Sequence, residues 1–240
     1  MMSRPEGAEF YISKLVGKAI MDYHMLTDGD RIAVGVSGGK DSLTLLKVLK
    51  DRQAFVPIRY ELLAVHVDMG YPISLASGLR RYFKKIGVEF HIEKNSALRK
   101  LKEDKINCFW CSWNRRKSLF ELAHRLGYAK VALGHHKDDV VETILMNMFF
   151  NGEISAMSPY QELFRGEIVV IRPLVYVEED LICRFTQEAK LPFSDFRCPK
   201  GLASNRSRIS RIIRELERVC PDVKTNIFRS LRRIKKDYLV

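Results

Sequence analysis

The sequence predicts an α/β fold: a doubly wound, mostly parallel sheet of five strands with a helical C-terminal extension. Three observations carry that prediction. Short apolar runs occur five times between residues 31 and 174 and alternate with helical patterns, as right-handed βαβ units require. After about residue 175 the strand-like runs stop and basic amphipathic patterns take over. At 240 residues, 46% of them hydrophobic and 29% charged, the chain suffices for one sizeable domain with a small appendage.

In chain order, residues 8–25 read as an amphipathic helix leading into the first strand, "RIAVGVS" at 31–37. Further strands are "ELLAVHVD" at 61–68, "VEFHIE" at 88–93, "KVALGH" at 130–135 and "VVIRPL" at 169–174. Helical patterns lie near 41–51, 76–86, 113–126 and 138–150. "NGEISAMSPYQELFRGE", 151–167, reads as a long surface loop. The expected division is an N-terminal helix (1–28), a central α/β domain (29–175) and a basic helical region (176–240).

Bulk properties narrow the function. No apolar run reaches the ~20 residues that cross a bilayer. "MMSRPEGAEFYISK" lacks the basic-then-apolar layout of a secretion signal, so a cytoplasmic protein without membrane contact is expected. The formal net charge is +12 and uneven: residues 201–240 hold eleven Lys or Arg against four Asp or Glu. Such a surface suits a polyanion, because neutralised phosphates release their counterions. It suits solubility as well. The five cysteines, Cys108, Cys111, Cys183, Cys198 and Cys220, point to metal binding or redox chemistry rather than a disulfide scaffold.

The chemistry gathers where strands end. In open sheets of this type ligands sit beyond the carboxyl ends of the strands. "SGGKDS" at 37–42, Asp68 and "GHHKDD" at 134–139 all fall at that edge. In the first, a strand-to-helix turn aims unpaired N–H groups and a partial positive charge at its ligand. Gly38 and Gly39 clear space for a phosphate, Ser37 and Ser42 add hydroxyls, and Lys40 screens charge. Asp41 orients a metal or caps the helix. The P-loop pattern does not fit, since Asp41 separates Lys40 from Ser42. A tight turn with an N-cap serine is the plain alternative.

At this point the chain resembles the PP-loop ATP pyrophosphatases, whose signature is Ser-Gly-Gly-x-Asp-Ser after the first strand. The resemblance implies the HUP fold (adenine nucleotide alpha hydrolase-like), with the central domain as a PP-loop ATPase. It also implies ATP cleavage between the α and β phosphates to give an adenylated substrate, AMP and pyrophosphate.

Beyond the loop, Gly134 and His135 end a strand, and Asp138 and Asp139 open a helix. Paired carboxylates there either help hold a Mg2+–phosphate complex or stabilise the helix dipole. Asp68 is either a ribose or adenine contact or an ordinary turn residue. Cys108 and Cys111, in "CFWCSWNRRKSLF", lie in or before the first turn of a helix. A redox dithiol, half of a zinc site and part of an iron–sulfur site all remain open, the last with Cys198 as a distant thiolate. Cys183 reads as a helix-interior packing residue, and Cys220 is given no role.

The set resembles one branch of that family, the tRNA 2-thiocytidine synthetases, over roughly residues 15–215. The matching features are Ser37 to Ser42, Cys108 and Cys111 followed by Arg115 and Arg116, Gly134 to Asp139 with Glu142 and Thr143, and Cys198. "NMFFNGEISAMSP" and "VIRPLVYVEEDL" also match. This resemblance implies a [4Fe-4S] cluster held by Cys108, Cys111 and Cys198, with one iron free to take sulfur. ATP would adenylate the C2 oxygen of a tRNA cytidine, and sulfur would displace AMP. Arg115 or Arg116 either stabilises developing negative charge or binds tRNA phosphate. The partners implied are tRNA and a cysteine desulfurase or another sulfur donor, and a homodimer is allowed for.

In one respect the chain departs from this branch, whose late cysteine lies in a Cys-x-x-Cys. Here the stretch is "DFRCPKG", with Asp195 at the earlier position. Two rivals are a sulfur transferase of the same fold acting on another tRNA base or a small molecule, and a non-catalytic nucleotide- or redox-sensing protein. Lysidine formation would leave the cysteines unexplained.

Overall fold

The computed structural model describes residues 7–70, 75–95, 108–194 and 205–238. Helix α1 (Ala8–Asp22) leads into β1 (Asp30–Gly35), and α2 (Lys40–Arg52), β2 (Tyr60–Asp68), α3 (Ala76–Lys85) and β3 (Glu89–Lys94) follow. Then come α4 (Cys108–Arg125), β4 (Lys130–Ala132), α5 (Lys137–Met146), β5 (Tyr160–Leu163) and β6 (Ile168–Ile171). Helices α6 (Glu179–Glu188), α7 (Asn205–Val219) and α8 (Val223–Ser230) complete the order. No helix among the described residues is long and apolar enough to cross a membrane.

The sheet runs β3-β2-β1-β4-β6-β5, with β5 alone antiparallel. It has six strands where the sequence predicted five. The extra strand lies inside 151–167, the stretch expected to be a surface loop. Tyr160–Leu163 buries no side chain fully, so periodicity could not reveal it. It exists through backbone pairing with β6 across a tight turn, where Phe164, Arg165 and Gly166 all have positive φ.

Chain order along the sheet places the crevice. From β1 the chain steps outward through β2 to β3, then crosses back so that β4 pairs with the other side of β1. The order therefore reverses between β1 and β4, the position at which open sheets of this type place their ligand site. With every parallel crossover right-handed, the return crossover also sends α4 to the opposite face from α2 and α3.

Side-chain alternation builds the two cores. Ile32, Val34, Leu62 and Ala64 face a core shared with α1, α2, α3 and α6. Ala33, Leu63, Val65, Val131 and Val170 face α4 through Leu119, Leu122 and Ala123. Burial of these apolar side chains contributes roughly 25 cal/mol per Å2 to folding. Helices α7 and α8 pack on α5, where Ile209 and Ile213 bury against Val141 and Leu145.

Candidate active site

The loop after β1 is knitted by its own hydroxyls. Ser37 N–H donates to Ser42 Oγ (3.1 Å), Ser42 Oγ–H donates to the Gly39 carbonyl (3.0 Å), and Gly39 N–H reaches Ser37 Oγ at 3.3 Å. No side chain caps α2 at Gly39, so the first-turn N–H groups of that helix lack a capping acceptor. Gly38 has φ +91°, and a Cβ there would lie 2.6 Å from Leu75 Cδ1. Beside it a crevice of about 230 Å3 opens between Gly38, the start of α3 and residues 192–194. Ser194 N–H donates to the Gly38 carbonyl at 3.0 Å and holds one wall of that crevice.

Lys40 spans the mouth. Its Nζ lies 3.0 Å from Asp41 Oδ1 and 2.8 Å from Glu179 Oε1 on α6. Burial works against its charge, but the two carboxylates outweigh burial and hold the amine protonated well above its ordinary range.

The loop after β4 seats directly on this cradle. A Cβ on Gly134 would come within 3.0 Å of Ser42 N and 3.1 Å of Asp41 C, both backbone, so only glycine lets the two loops meet. His136, the N-cap of α5, carries the contact onward. Its Nε2 is 3.8 Å from Asp41 Oδ1 and 3.5 Å from Asp139 Oδ2, and its Nδ1 is 3.4 Å from Asp138 Oδ2. Although burial disfavours the imidazolium, these carboxylates raise its pKa to about 9. His135 goes the other way. Burial, reinforced by Arg172, Arg206 and Arg116, lowers its pKa to about 4 against the pull of Asp139.

The acidic pair is clasped by the C-terminal helices. Asp138 is buried and meets Lys224 Nζ of α8 at 2.7 Å, while Glu179 N–H donates to it at 2.8 Å. Despite its desolvation, His136 and Lys224 push its carboxyl far below the usual range. Asp139 accepts His136 N–H at 3.0 Å and pairs with Arg206 of α7 at 3.1 Å. Asp68, one strand over, accepts Gly70 N–H at 2.9 Å and so braces its own turn.

Helix α4 brings the cysteines to the same edge. Leu119 packs so tightly on β1 that a Cβ on Gly35 would sit 2.8 Å from it. Cys111 is eight residues earlier, hence about 12 Å higher along the helix, beyond the strand ends. It is buried at 7% exposure, and Arg115 Nη2 donates toward its sulfur at 3.8 Å. Cys108 opens α4, one turn before Cys111. The helix starts earlier than the 113–126 pattern suggested. Cys198 and Asp195 lie outside the described residues. Cys183 is half-buried in α6, where burial raises its thiol pKa.

The structure thus gathers Ser37–Ser42, Gly134, His135, Asp138 and Asp139 at one edge of the sheet, with the start of α4 at the same edge. Sequence reasoning missed His136 as a separate actor, Glu179, Lys224, Arg206 and Arg172. Arg172 left a signal, as the lone charge ending an apolar strand. Lys224 and Arg206 left none, because helix packing alone brings them to α5.

Known proteins resemble this chain along nearly its whole length. A family profile described as a PP-loop domain matches residues 12–216. The chain is 41% identical over 235 residues to a tRNA-cytidine(32) 2-sulfurtransferase of Geobacter sulfurreducens, covering 95% of this chain and 91% of the relative. A protein of the same name from Geotalea uraniireducens is 40% identical over 95% of this chain and 93% of its own length. Among solved structures, the U34-tRNA thiolase NcsA from Methanococcus maripaludis with its [4Fe-4S] cluster superimposes with a TM-score of 0.77. It is 26% identical, and the match covers 94% of this chain and 79% of that one.

Proposed function

The chain belongs to the PP-loop family, and on that premise we propose that it is an ATP-dependent tRNA sulfurtransferase, exchanging the C2 oxygen of a tRNA cytidine for sulfur. One observation carries the reading: the SGGKDS cradle, the GHHKDD loop and the Cys-x-x-Cys helix terminus share one edge of the sheet, at the switch point between β1 and β4. Relatives about 40% identical along nearly the whole chain bear the name tRNA-cytidine(32) 2-sulfurtransferase, which supports cytidine 32 as the target.

The uncapped N–H groups at the start of α2 hold the leaving pyrophosphate, and Lys40 neutralises it on release from Glu179. Mg2+ arriving with the triphosphate competes with Lys40 and Arg206 for Asp41 and Asp139. Attack by the cytidine O2 on the α-phosphorus breaks the bond to pyrophosphate. A sulfur nucleophile then forms the C2–S bond as the C2–O bond breaks and AMP departs. Neutral His135 at this edge can accept a hydrogen bond without adding charge.

The cysteines fit an iron–sulfur group, since Cys108 and Cys111 are three residues apart in the first turn of α4 and Arg115 lies beside the Cys111 sulfur. Cys108, Cys111 and Cys198 would hold a [4Fe-4S] cluster, which when bound supplies an iron site open to sulfur. Arg115 keeps Cys111 in an electropositive setting. The proposal extends to a cysteine desulfurase or similar sulfur donor, to action in the cytoplasm, and to a homodimer.

Mass spectrometry of tRNA nucleosides from cells with and without the protein tests the reading. We expect 2-thiocytidine to vanish without it and to stay absent when Cys108→Ser replaces it. An unchanged nucleoside profile overturns the assignment to tRNA.

A further inference from the structure

Arg172, at the carboxyl end of β6, is 7% exposed. Its fork is set by two neutral acceptors: Nη1 donates to the Ser158 carbonyl and Nη2 to Gln161 Oε1 at 3.4 Å. Nε is buried with no acceptor, and no carboxylate among the described residues pairs with this guanidinium. An uncompensated buried cation costs several kcal/mol. A fixed arginine in that condition marks a place where the counter-charge arrives with a ligand.

Its surroundings say which ligand. Ala132 of β4 pairs with Ile171 of β6, and side chains alternate, so Arg172 emerges on the α4 side with Val131, Leu133 and Val170. Above it stands α4. Phe120 meets Phe164 of the β5–β6 turn at 6.4 Å, and Leu119 covers Gly35. Arg116, one turn earlier on that side of the helix, is therefore carried over the ends of β4 and β6. It is exposed, and among the described residues its side chain donates only to its own helix's Ser112 carbonyl, at 3.4 Å. Repulsion from Arg116 helps burial lower the Arg172 pKa to about 10, and both arginines bear on His135. The acid that acts on His135, Asp139, is already paired with Arg206 and His136 N–H.

We propose that Arg172 and Arg116 form a phosphate site that grips a tRNA backbone phosphate beside the reacting base. This rests on the reading given under Proposed function. The triphosphate of ATP is the other candidate anion, but its pyrophosphate is held over β1. Arg172 lies two strands away, about 10 Å across the sheet. A nucleotide whose O2 meets the α-phosphate places its own backbone phosphate further off, toward β6. Arginine forks suit that role, since paired N–H donors match two phosphate oxygens. The contact carries no sequence information and sets register, bringing one base over the cradle.

The test is binding of an unmodified tRNA transcript to the full chain over a range of salt, with ATP affinity measured in parallel. Arg116→Ala is a surface change, and Arg172→Lys keeps the charge but loses the fork. Each should weaken tRNA binding by about tenfold, and Arg116→Ala should flatten the log–log salt slope by about one unit, with ATP affinity unchanged. The double variant should fall short of the product of the two losses, because both groups hold one phosphate. Unchanged tRNA affinity and slope in both variants overturn the site, as does an equal loss of ATP affinity, which would assign it to the triphosphate. If the unaltered protein binds no tRNA, the function itself falls as well.

Discussion

His135 and His136 are neighbours in the chain and are driven to opposite protonation states. His136 rises to about 9 because three carboxylates outweigh its burial, and His135 drops to about 4 through burial and three arginines. Both start from an ordinary value of 6.5 when unfolded. The raised group contributes stability that is complete below pH 6.5 and is lost as pH climbs toward 9. The depressed group works in reverse, and stability is lost as pH falls from 6.5 toward 4. Each limb is worth up to about 3 kcal/mol. The ligand-free, metal-free protein should therefore be most stable near pH 6.5 in urea titrations run from pH 5 to 8.5. His136→Gln should flatten the alkaline limb and His135→Gln the acid limb; profiles identical to the unaltered protein would refute the assignment.

At the scale of elements, α5 is held from both ends. Its apolar stripe, Val141 and Leu145, packs on Ile209 and Ile213, and its first turn is clasped by Lys224 through Asp138. Lys224 also meets Glu217 at 2.7 Å, which ties α8 to α7 through the same amine. The carboxylates proposed to serve the nucleotide are thus positioned by helices remote in sequence. Lys224→Met leaves Asp138 buried with His136 and one N–H as partners. That should cost about 3 kcal/mol in urea unfolding. It should also weaken ATP binding, since α5 starts against the cradle. Unchanged stability and unchanged ATP affinity would show that α8 does not support the site.

Across the whole molecule, charge and chemistry are segregated. Arg208, Arg211, Arg214 and Arg218 lie exposed along α7, while the apolar side of that helix is buried on α5. The basic face of α7 is therefore attached to the element that holds the acidic pair. Replacing Arg211, Arg214 and Arg218 with Gln should weaken tRNA binding at low salt, with the difference shrinking as salt rises. ATP affinity should stay as it was. Equal tRNA binding at every salt concentration would mean that this face serves solubility alone.

The alternation of apolar runs predicted the parallel strands and their helices, because period-two and period-3.6 burial patterns are written locally. The glycine–hydroxyl loop and the Cys-x-x-Cys turn were legible for the same reason: their chemistry lies within six residues or fewer. The antiparallel edge strand was not, because its hydrogen bonds come from β6 and none of its side chains is fully buried. Nor was the pairing of Asp138 with Lys224, of Lys40 with Glu179, or the opposed charge of the two histidines. By itself the sequence determined the fold class, the cradle and the thiol pair. Only the tertiary structure decided which cations and carboxylates meet, because burial and Coulomb forces depend on distance in space and not along the chain.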